Sequence, residues 1–270
     1  MMIAFLYSKP ADLATSWFNR AVVYETEGRY EDALDLYQKS LDVWSKVHGQ
    51  DHSSSVANSY NNMGNRLQSQ GKYDEALDLY KKSLAIKIKA HGPDHASTAT
   101  SYNNVANILQ SQRKYDEALD LYQKSLAIKI KAHGLDHSSV ATSYNNVAKV
   151  FQAQGKHLEA LRLFKKSLDI LMKFHSQDHP SVATLYNNVG TVFQSQGKFQ
   201  EAIEMYQKSL AIQITLHGPD HSSVATSYTN IASVYSSQEK YEDAAALLEK
   251  VELAAMKRLL KKKHSEHQGM

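Results

Sequence analysis

The sequence predicts an all-α protein built as an array of helix pairs. Two residue types recur every 42 residues, and a period of this size is typical of stacked helical repeats. The recurring positions are Tyr60, Tyr102, Tyr144, Tyr186 and Tyr228, and Ala76, Ala118, Ala160, Ala202 and Ala244. Apolar residues within one period follow helical spacing, and no segment alternates as a β-strand would. Nearly the whole chain is therefore expected to be copies of one helical unit.

Two helices are predicted in each period. In one copy the first helix covers about residues 97–112, where Tyr102, Val105 and Leu109 share a face opposite a polar stripe. The second covers about residues 114–132 and is apolar on two sides, which suits a helix between neighbours. Small residues at Ala106 and Ala118, or Gly64 and Gly190 in place of the former, indicate where two helices approach closely.

Glycines are expected in the turns between these helices. Gly71 and its counterparts Gly155 and Gly197 supply a backbone break between the two helices of a pair. Gly92 ends the second helix, and Asp94 or Ser97 is expected to cap the next first helix. Six repeats are predicted in a single array over residues 1–270. Their approximate bounds are 11–51, 52–94, 95–136, 137–178, 179–220 and 221–262, with a basic polar tail at 263–270.

Composition excludes several classes of protein. The net charge is only +3, so no strong field favours nucleic acid. There is no cysteine, which excludes disulfides and thiolate metal sites. No run reaches the ~20 apolar residues of a membrane span, and residues 1–7 lack the features of a signal peptide. We expect a cytoplasmic protein without a cofactor, and the sequence does not predict its oligomeric state.

One motif resembles a known repeat family. The pattern of aromatic, small residue, Gly-Lys-Tyr-x-Glu-Ala and aromatic is matched by Tyr60, Gly64, residues 71–76 and Tyr80. These residues resemble the tetratricopeptide repeat. The 42-residue length, the Asn61-Asn62 pair and the Gly-Pro-Asp-His loop are similar to the repeat variant of kinesin light chains. The resemblance implies a right-handed superhelical solenoid of about six antiparallel helix pairs, whose first helices line the concave face.

The polar stripe of the first helices is the candidate binding site. A carboxamide both donates and accepts hydrogen bonds, so paired asparagines suit the main chain of an extended peptide. We name the following set the Asn stripe: Asn61, Asn62, Asn65, Asn103, Asn104, Asn107, Asn145, Asn146, Lys149, Asn187, Asn188 and Asn230. A solvated face kept polar for solubility is the alternative. Lys149 is the only cation of the set, which argues against a clamp for a terminal carboxylate.

Histidine pairs form a second candidate. Five pairs have i, i+4 spacing, which on a helix suits metal binding. They are His48/His52, His91/His95, His133/His137, His175/His179 and His217/His221. Each pair brackets a loop and has no third ligand nearby in sequence, so a packing role in the loop is favoured over a metal site. Their periodicity leaves a common response to acid pH open.

The sequence therefore favours a non-catalytic protein–protein interaction scaffold that binds an extended peptide or partner segment. No nucleophile with a base, phosphate loop or carboxylate pair is present. A regulatory or sensor array from a larger signalling or NTPase protein is the alternative, and a hydrolase using metal on the histidine pairs is a third hypothesis. The basic residues Lys257, Arg258 and 261–263 are read as a solvated helix end rather than a nucleic-acid or lipid site.

Overall fold

The computed structural model describes residues 10–48, 54–174 and 176–268, and among them the side chains of all but 48 and 261–268. These residues form twelve α-helices and no strand. Their contacts divide the chain into two units, residues 1–134 and 135–270. Helices follow one another as antiparallel pairs, and the two helices of a pair pack most closely. The prediction of an all-α chain of six helix pairs is confirmed.

The first unit contains three pairs. Its helices are α1 (Pro10–Thr26), α2 (Tyr30–His48), α3 (Ser54–Ser69), α4 (Tyr73–His91), α5 (Ala96–Ser111) and α6 (Tyr115–His133). The predicted bounds 97–112 and 114–132 fall within one or two residues of α5 and α6. Odd-numbered helices are the first helices of the pairs, and even-numbered helices are the second.

The second unit repeats this order. Its helices are α7 (Ser138–Ala153), α8 (His157–Phe174), α9 (Pro180–Ser195), α10 (Phe199–His217), α11 (Ser222–Ser237) and α12 (Tyr241–Gln268). Within it, α7 also contacts α9 directly, so successive first helices lie side by side.

A buried tyrosine ring packs on a glycine inside the second and the fifth helix pairs. Tyr80 is 1% exposed, and its ring lies against Gly64, where an added Cβ would be 2.8 Å from Cε1. Gly190 has the same relation to Tyr206. Ala118 is fully buried, as the sequence predicted for a close helix contact. These contacts fix the distance between the two helices of a pair.

Buried serines join the helices of a pair, and sequence reasoning missed them. The hydroxyls of Ser40, Ser125 and Ser167 donate to the carbonyl oxygens of Ala14, Ala99 and Ala141 at 2.7–2.8 Å. A serine in a helix is easily read as a surface residue. The available signal was its recurrence every 42 residues at Ser83, Ser125, Ser167 and Ser209, all of which are buried.

The turns inside the pairs require left-handed backbone. Gly71, Gly155 and Gly197 have φ of +77°, +73° and +72°, as a glycine break predicts. In the third and sixth repeats the same place is taken by Arg113 and Glu239, with φ of 61° and 62°. A side chain disfavours this conformation, so these two turns are strained where the others are not.

The predicted helix cap was wrong. The structure places His95, not Asp94 or Ser97, at the N-cap of α5, where its Nδ1 accepts from the Ser97 backbone N–H at 3.2 Å. His137, His179 and His221 cap α7, α9 and α11 in the same way. The imidazole nitrogen reaches the position that a carboxylate or hydroxyl oxygen normally fills at a helix N-terminus. Gly92 does end α4, as predicted.

Candidate peptide-binding face

Asparagines of neighbouring first helices bond to one another. Asn104 Nδ2 donates to Asn61 Oδ1 at 2.7 Å, which joins α5 to α3 in the first unit. In the second unit, Asn188 Nδ2 donates to Asn145 Oδ1 at 2.9 Å, and Asn230 Nδ2 donates to Asn187 Oδ1 at 2.6 Å. In each of these three bonds, the second asparagine of one repeat binds the first asparagine of the repeat before it. We name these three bonds the Asn ladder.

The ladder uses only part of the hydrogen-bonding capacity of each carboxamide. All six of its side chains are half-buried. A carboxamide carries two donor hydrogens and two acceptor lone pairs, and the ladder uses one hydrogen on one partner and one lone pair on the other. The bonds hold the asparagines in fixed orientations. A main chain that binds them would meet donors and acceptors already in place.

Asn65 and Asn107 have a different role from the rest of the stripe. The Tyr80 hydroxyl lies 2.7 Å from Asn65 Oδ1, and the Tyr122 hydroxyl lies 2.5 Å from Asn107 Oδ1. Each hydroxyl also lies 2.9 Å from the glutamine one turn further, Gln68 or Gln110. These two asparagines therefore satisfy buried phenols inside their own repeats. Asn62 of the second repeat has no asparagine to bind in the first repeat, because Phe18 occupies that position, and its Nδ2 donates to Tyr37 Oη at 3.2 Å.

Burial changes the ionisation of these phenols. It raises the pKa of Tyr80 to about 12, because the charged phenolate would lose its hydration. The pKa values of Tyr122 and Tyr206 are raised for the same reason, although the hydrogen bond with Thr191 lowers that of Tyr206 in part. The neutral phenol, which can donate, is the form that the fold needs.

Lys149 is the exception in the stripe. It is exposed and occupies the position of Asn107 in the fourth repeat. There the second helix carries Phe164 in place of tyrosine, and this ring is fully buried. A phenyl group has no hydroxyl to bind, so the carboxamide partner is not required at this position. The paired change explains why a cation interrupts the row of asparagines.

Two further members of the Asn stripe occupy the equivalent positions in the third and fourth repeats. Asn103 and Asn146 are half-buried and have polar partners. The structure thus brings Asn61 and Asn104 together in the first unit, and Asn145, Asn187, Asn188 and Asn230 together in the second.

The described histidine pairs flank the loops between repeats: His91 and His217 are the last residues of α4 and α10, and His95 and His221 cap the helices that follow. The rings of His91 and His95 stack with centroids 4.7 Å apart, and those of His217 and His221 stack at 4.4 Å. His52 and His175 lie outside the described residues. Within the described part of the chain, no three His, Asp, Glu or Cys side chains converge as metal ligands. The observed contacts are those of caps and ring packing.

The basic end of α12 is tied to the preceding loop. Arg258 Nη1 donates to the Asp220 carbonyl oxygen at 2.6 Å, and Lys257 Nζ lies 3.5 Å from Asp220 Oδ1. The side chains of 261–263 lie outside the described residues. Among the helices that the structure describes, none combines the length and the hydropathy that crossing a bilayer requires.

Comparison with known proteins identifies the repeats. The tetratricopeptide repeat profile matches residues 12–88, 55–131, 97–173, 139–215 and 181–252. No curated protein is significantly similar to the chain in sequence. A similar solved structure is that of the nearly identical TPR-like repeats assigned to a kinesin light chain of Podosopora anserina. It is 28% identical with a TM-score of 0.62, and the match covers 76% of this chain and 98% of that one.

More distant structures share the fold alone. BtubC (BKLC) from P. vanneervenii is 19% identical with a TM-score of 0.64, and the match covers 93% of each chain. Aspartyl phosphate phosphatase F from Bacillus subtilis is 15% identical with a TM-score of 0.64, over 88% of this chain and 69% of that one. Successive profile matches span most of the sequence, and the helix pairs have the matching architecture. The chain therefore belongs to the tetratricopeptide repeat family, and its repeats are of the kinesin light chain-like kind.

Proposed function

We propose that this protein is a non-catalytic scaffold that binds an extended peptide or partner segment along its first helices. Repeats of this family generally serve protein–protein interaction. The proposal assigns the contacts with the main chain to the Asn stripe. It also takes the chain as one array over residues 1–270, acting in the cytoplasm on protein partners and not on nucleic acid.

The observation that carries the proposal is the Asn ladder. Asn145 accepts from Asn188, and Asn187 accepts from Asn230, so the carboxamides follow one another from repeat to repeat. Neighbouring helices pack ~8–10 Å apart, and an extended peptide advances ~3.3 Å per residue. A ladder step therefore meets about every third residue of a bound peptide. Amide contacts of this kind bind main chain of any sequence.

Asn65 and Asn107 contribute differently under this proposal. Their Oδ1 atoms face the phenols of Tyr80 and Tyr122. They hold the first helix on the second, while the ladder pairs contact the ligand. Substitution at these two positions is expected to change stability more than affinity.

The test uses peptides selected from a random displayed library on the full chain. In the triple variant Asn104→Ala, Asn146→Ala and Asn188→Ala, each change removes about 1 kcal/mol of hydrogen bonding. We expect affinity to fall at least a hundredfold by calorimetry. We also expect binding of the parent chain to change little with salt concentration, because no ion pair holds the main chain.

A matched triple variant controls for general effects. Gln123, Lys165 and Gln207 lie 42 residues apart on exposed faces of the second helices. Changing these three to alanine should leave affinity unchanged. Circular dichroism and thermal unfolding are recorded for both variants, because Asn104 and Asn188 also donate within the ladder. Equal affinity in the two triple variants would show that the first helices are not the binding face.

A further inference from the structure

One pocket of the second unit differs in chemistry from its counterparts. It has a volume of about 130 Å³ and lies between α7, α8 and α9, beside the ladder residue Asn145. Its lining includes Leu171 and Leu185, which are 6% and 2% exposed, with Thr142, Ser167 and Thr184 around them. No charged residue lines it. The pocket thus has an apolar floor and a neutral polar rim.

Both leucines depart from the repeat pattern. The positions equivalent to Leu185 carry serine in every other copy from the second to the sixth repeat, namely Ser59, Ser101, Ser143 and Ser227. The positions equivalent to Leu171 in the other inner repeats carry Lys87, Lys129 and Gln213. The two leucines lie on different helices of neighbouring repeats. The fold brings the two leucines into one pocket. The equivalent positions in the neighbouring repeats carry lysine or glutamine together with serine, so they are polar where this pocket is apolar.

Three of the four hydroxyls that line the pocket donate to carbonyl oxygens of the protein. Thr142 Oγ1 donates to the Ser138 carbonyl at 3.2 Å, and Thr184 Oγ1 donates to the Pro180 carbonyl at 3.1 Å. Ser167 Oγ donates to the Ala141 carbonyl at 2.7 Å. Because these three hydrogens are used within the protein and no cation lines the pocket, only Asn145 and Ser181 offer donors to an anionic group. The pocket suits an apolar group.

In the first repeat, aromatic residues occupy the positions equivalent to two residues that line this pocket. There Phe18 occupies the position of Asn145, and Trp44 occupies the position of Leu171. The two rings pack with centroids 5.5 Å apart. In the first repeat, the protein's own aromatic rings thus occupy these equivalent positions. An apolar cavity of roughly 150 Å³ accepts benzene, so the pocket of the fourth repeat matches one side chain of that size.

We propose that this pocket receives one bulky apolar side chain, of leucine or phenylalanine size, from a peptide whose main chain the Asn ladder holds. This inference rests on the proposed function and adds its sequence preference. Asn145 lines the pocket and also accepts from Asn188, so a ligand residue held at this step of the ladder has its side chain at the mouth of the pocket. The equivalent place at Lys87 and Ser101 does not share this preference.

The experiment compares peptide selections on two chains. Random peptides displayed on phage are selected on the parent chain and on the double variant Leu171→Lys with Leu185→Ser. The variant restores the residue types that the second and third repeats carry at Lys87 and Ser101, so the fold has a precedent for them. We expect leucine, isoleucine or phenylalanine to be enriched at one position on the parent, and the enrichment to be lost on the variant. Alanine at that peptide position should weaken binding to the parent roughly tenfold to a hundredfold.

Two further variants sharpen the result. Leu171→Gln introduces the side chain found at Gln213 and serves if the double variant does not fold. The converse change, Lys87→Leu with Ser101→Leu, should create a second enriched apolar position. Peptides that depend on the ladder asparagines but show the same preference on parent and variants would overturn this inference alone. Peptides indifferent to the ladder asparagines, or no selected peptide, would instead contradict the proposed function.

Discussion

Single tyrosines couple the polar face of each repeat to its core. The Tyr80 ring is buried against Gly64, while its hydroxyl reaches Asn65 and Gln68 on the first helix. One side chain therefore both packs the helix pair and satisfies its polar stripe. An unsatisfied buried polar group costs more free energy than a hydrogen bond contributes, which explains why Phe164 and Lys149 replace tyrosine and asparagine together.

Alkaline pH should weaken this arrangement. Burial raises the pKa of Tyr80 from its ordinary value of 10 to about 12. Because the pKa of Tyr80 is higher in the folded state than in the unfolded state, the neutral phenol stabilises the fold fully below pH 10. This stabilisation is lost as pH rises towards 12. We expect the urea concentration at the midpoint of unfolding to fall through this pH range. We also expect the phenolate absorbance of the folded chain to appear at a higher pH than that of the unfolded chain.

Tyr80→Phe tests the contribution of this hydroxyl. The variant should lose about 1 kcal/mol of unfolding free energy at neutral pH and show a weaker decline at alkaline pH. Urea unfolding at several pH values measures both effects. An unchanged alkaline decline would assign that decline to other tyrosines.

At the scale of helices, the sequence predicted where the helices lie but not how their N-termini are capped or how neighbouring first helices contact one another. Periodicity predicted α5 and α6 to within one or two residues, because apolar spacing directly reports which face is buried. The cap at His95 was not predicted, since oxygen-bearing side chains are the usual caps. The Asn ladder was not predicted either. It joins residues 43 apart rather than 42, and that offset depends on how neighbouring helices are placed.

Cap substitutions should separate the histidine role from mere loop packing. His137→Ala removes the acceptor for the Ser139 backbone N–H and should cost about 1 kcal/mol. His137→Asp keeps an acceptor and adds a negative charge at the helix N-terminus, so it should cost little or stabilise. Thermal unfolding of the two variants is the measurement. If both variants lose the same stability, contacts of the imidazole other than the cap account for its contribution.

Glycine at the two strained turns should stabilise the chain. Arg113 has φ of 61° at a position where other repeats carry glycine. Arg113→Gly relieves a cost of roughly 1 kcal/mol, partly offset by the greater freedom of glycine in the unfolded state. Chemical denaturation should show a small net gain. The converse change Gly155→Arg serves as the control and should show a loss.

For the whole molecule, repetition makes stability local. Within each of the two units, the helix pairs contact chiefly their neighbours in sequence, and stability in such arrays is approximately a sum over repeats and their interfaces. The 42-residue register predicted this organisation from the sequence. The polarity of each pocket was not predicted, because it depends on which side chains of two neighbouring repeats line that pocket.

Removal of one repeat should leave a folded chain. Deleting residues 137–178 joins Asp136 to His179, which keeps a capping histidine at the start of the next first helix. Helix content per residue should be unchanged by circular dichroism, and total unfolding free energy should fall. A deletion variant without helical signal would indicate a single indivisible core.

The direction of the Asn ladder has a consequence for how such chains change length. Each of the three bonds runs from the second asparagine of one repeat to the first asparagine of the repeat before it, so a repeat with both asparagines carries both halves of the contact. A head-to-tail contact uses different residues on its two sides, so any copy with both asparagines can adjoin another copy of the same kind. Duplication or loss of a gene segment encoding 42 residues then preserves every bond. Phe18 and Thr229 are the exceptions: each occupies the position of the first asparagine and carries no carboxamide, so Asn62 has no such acceptor in the first repeat and the sixth repeat offers none.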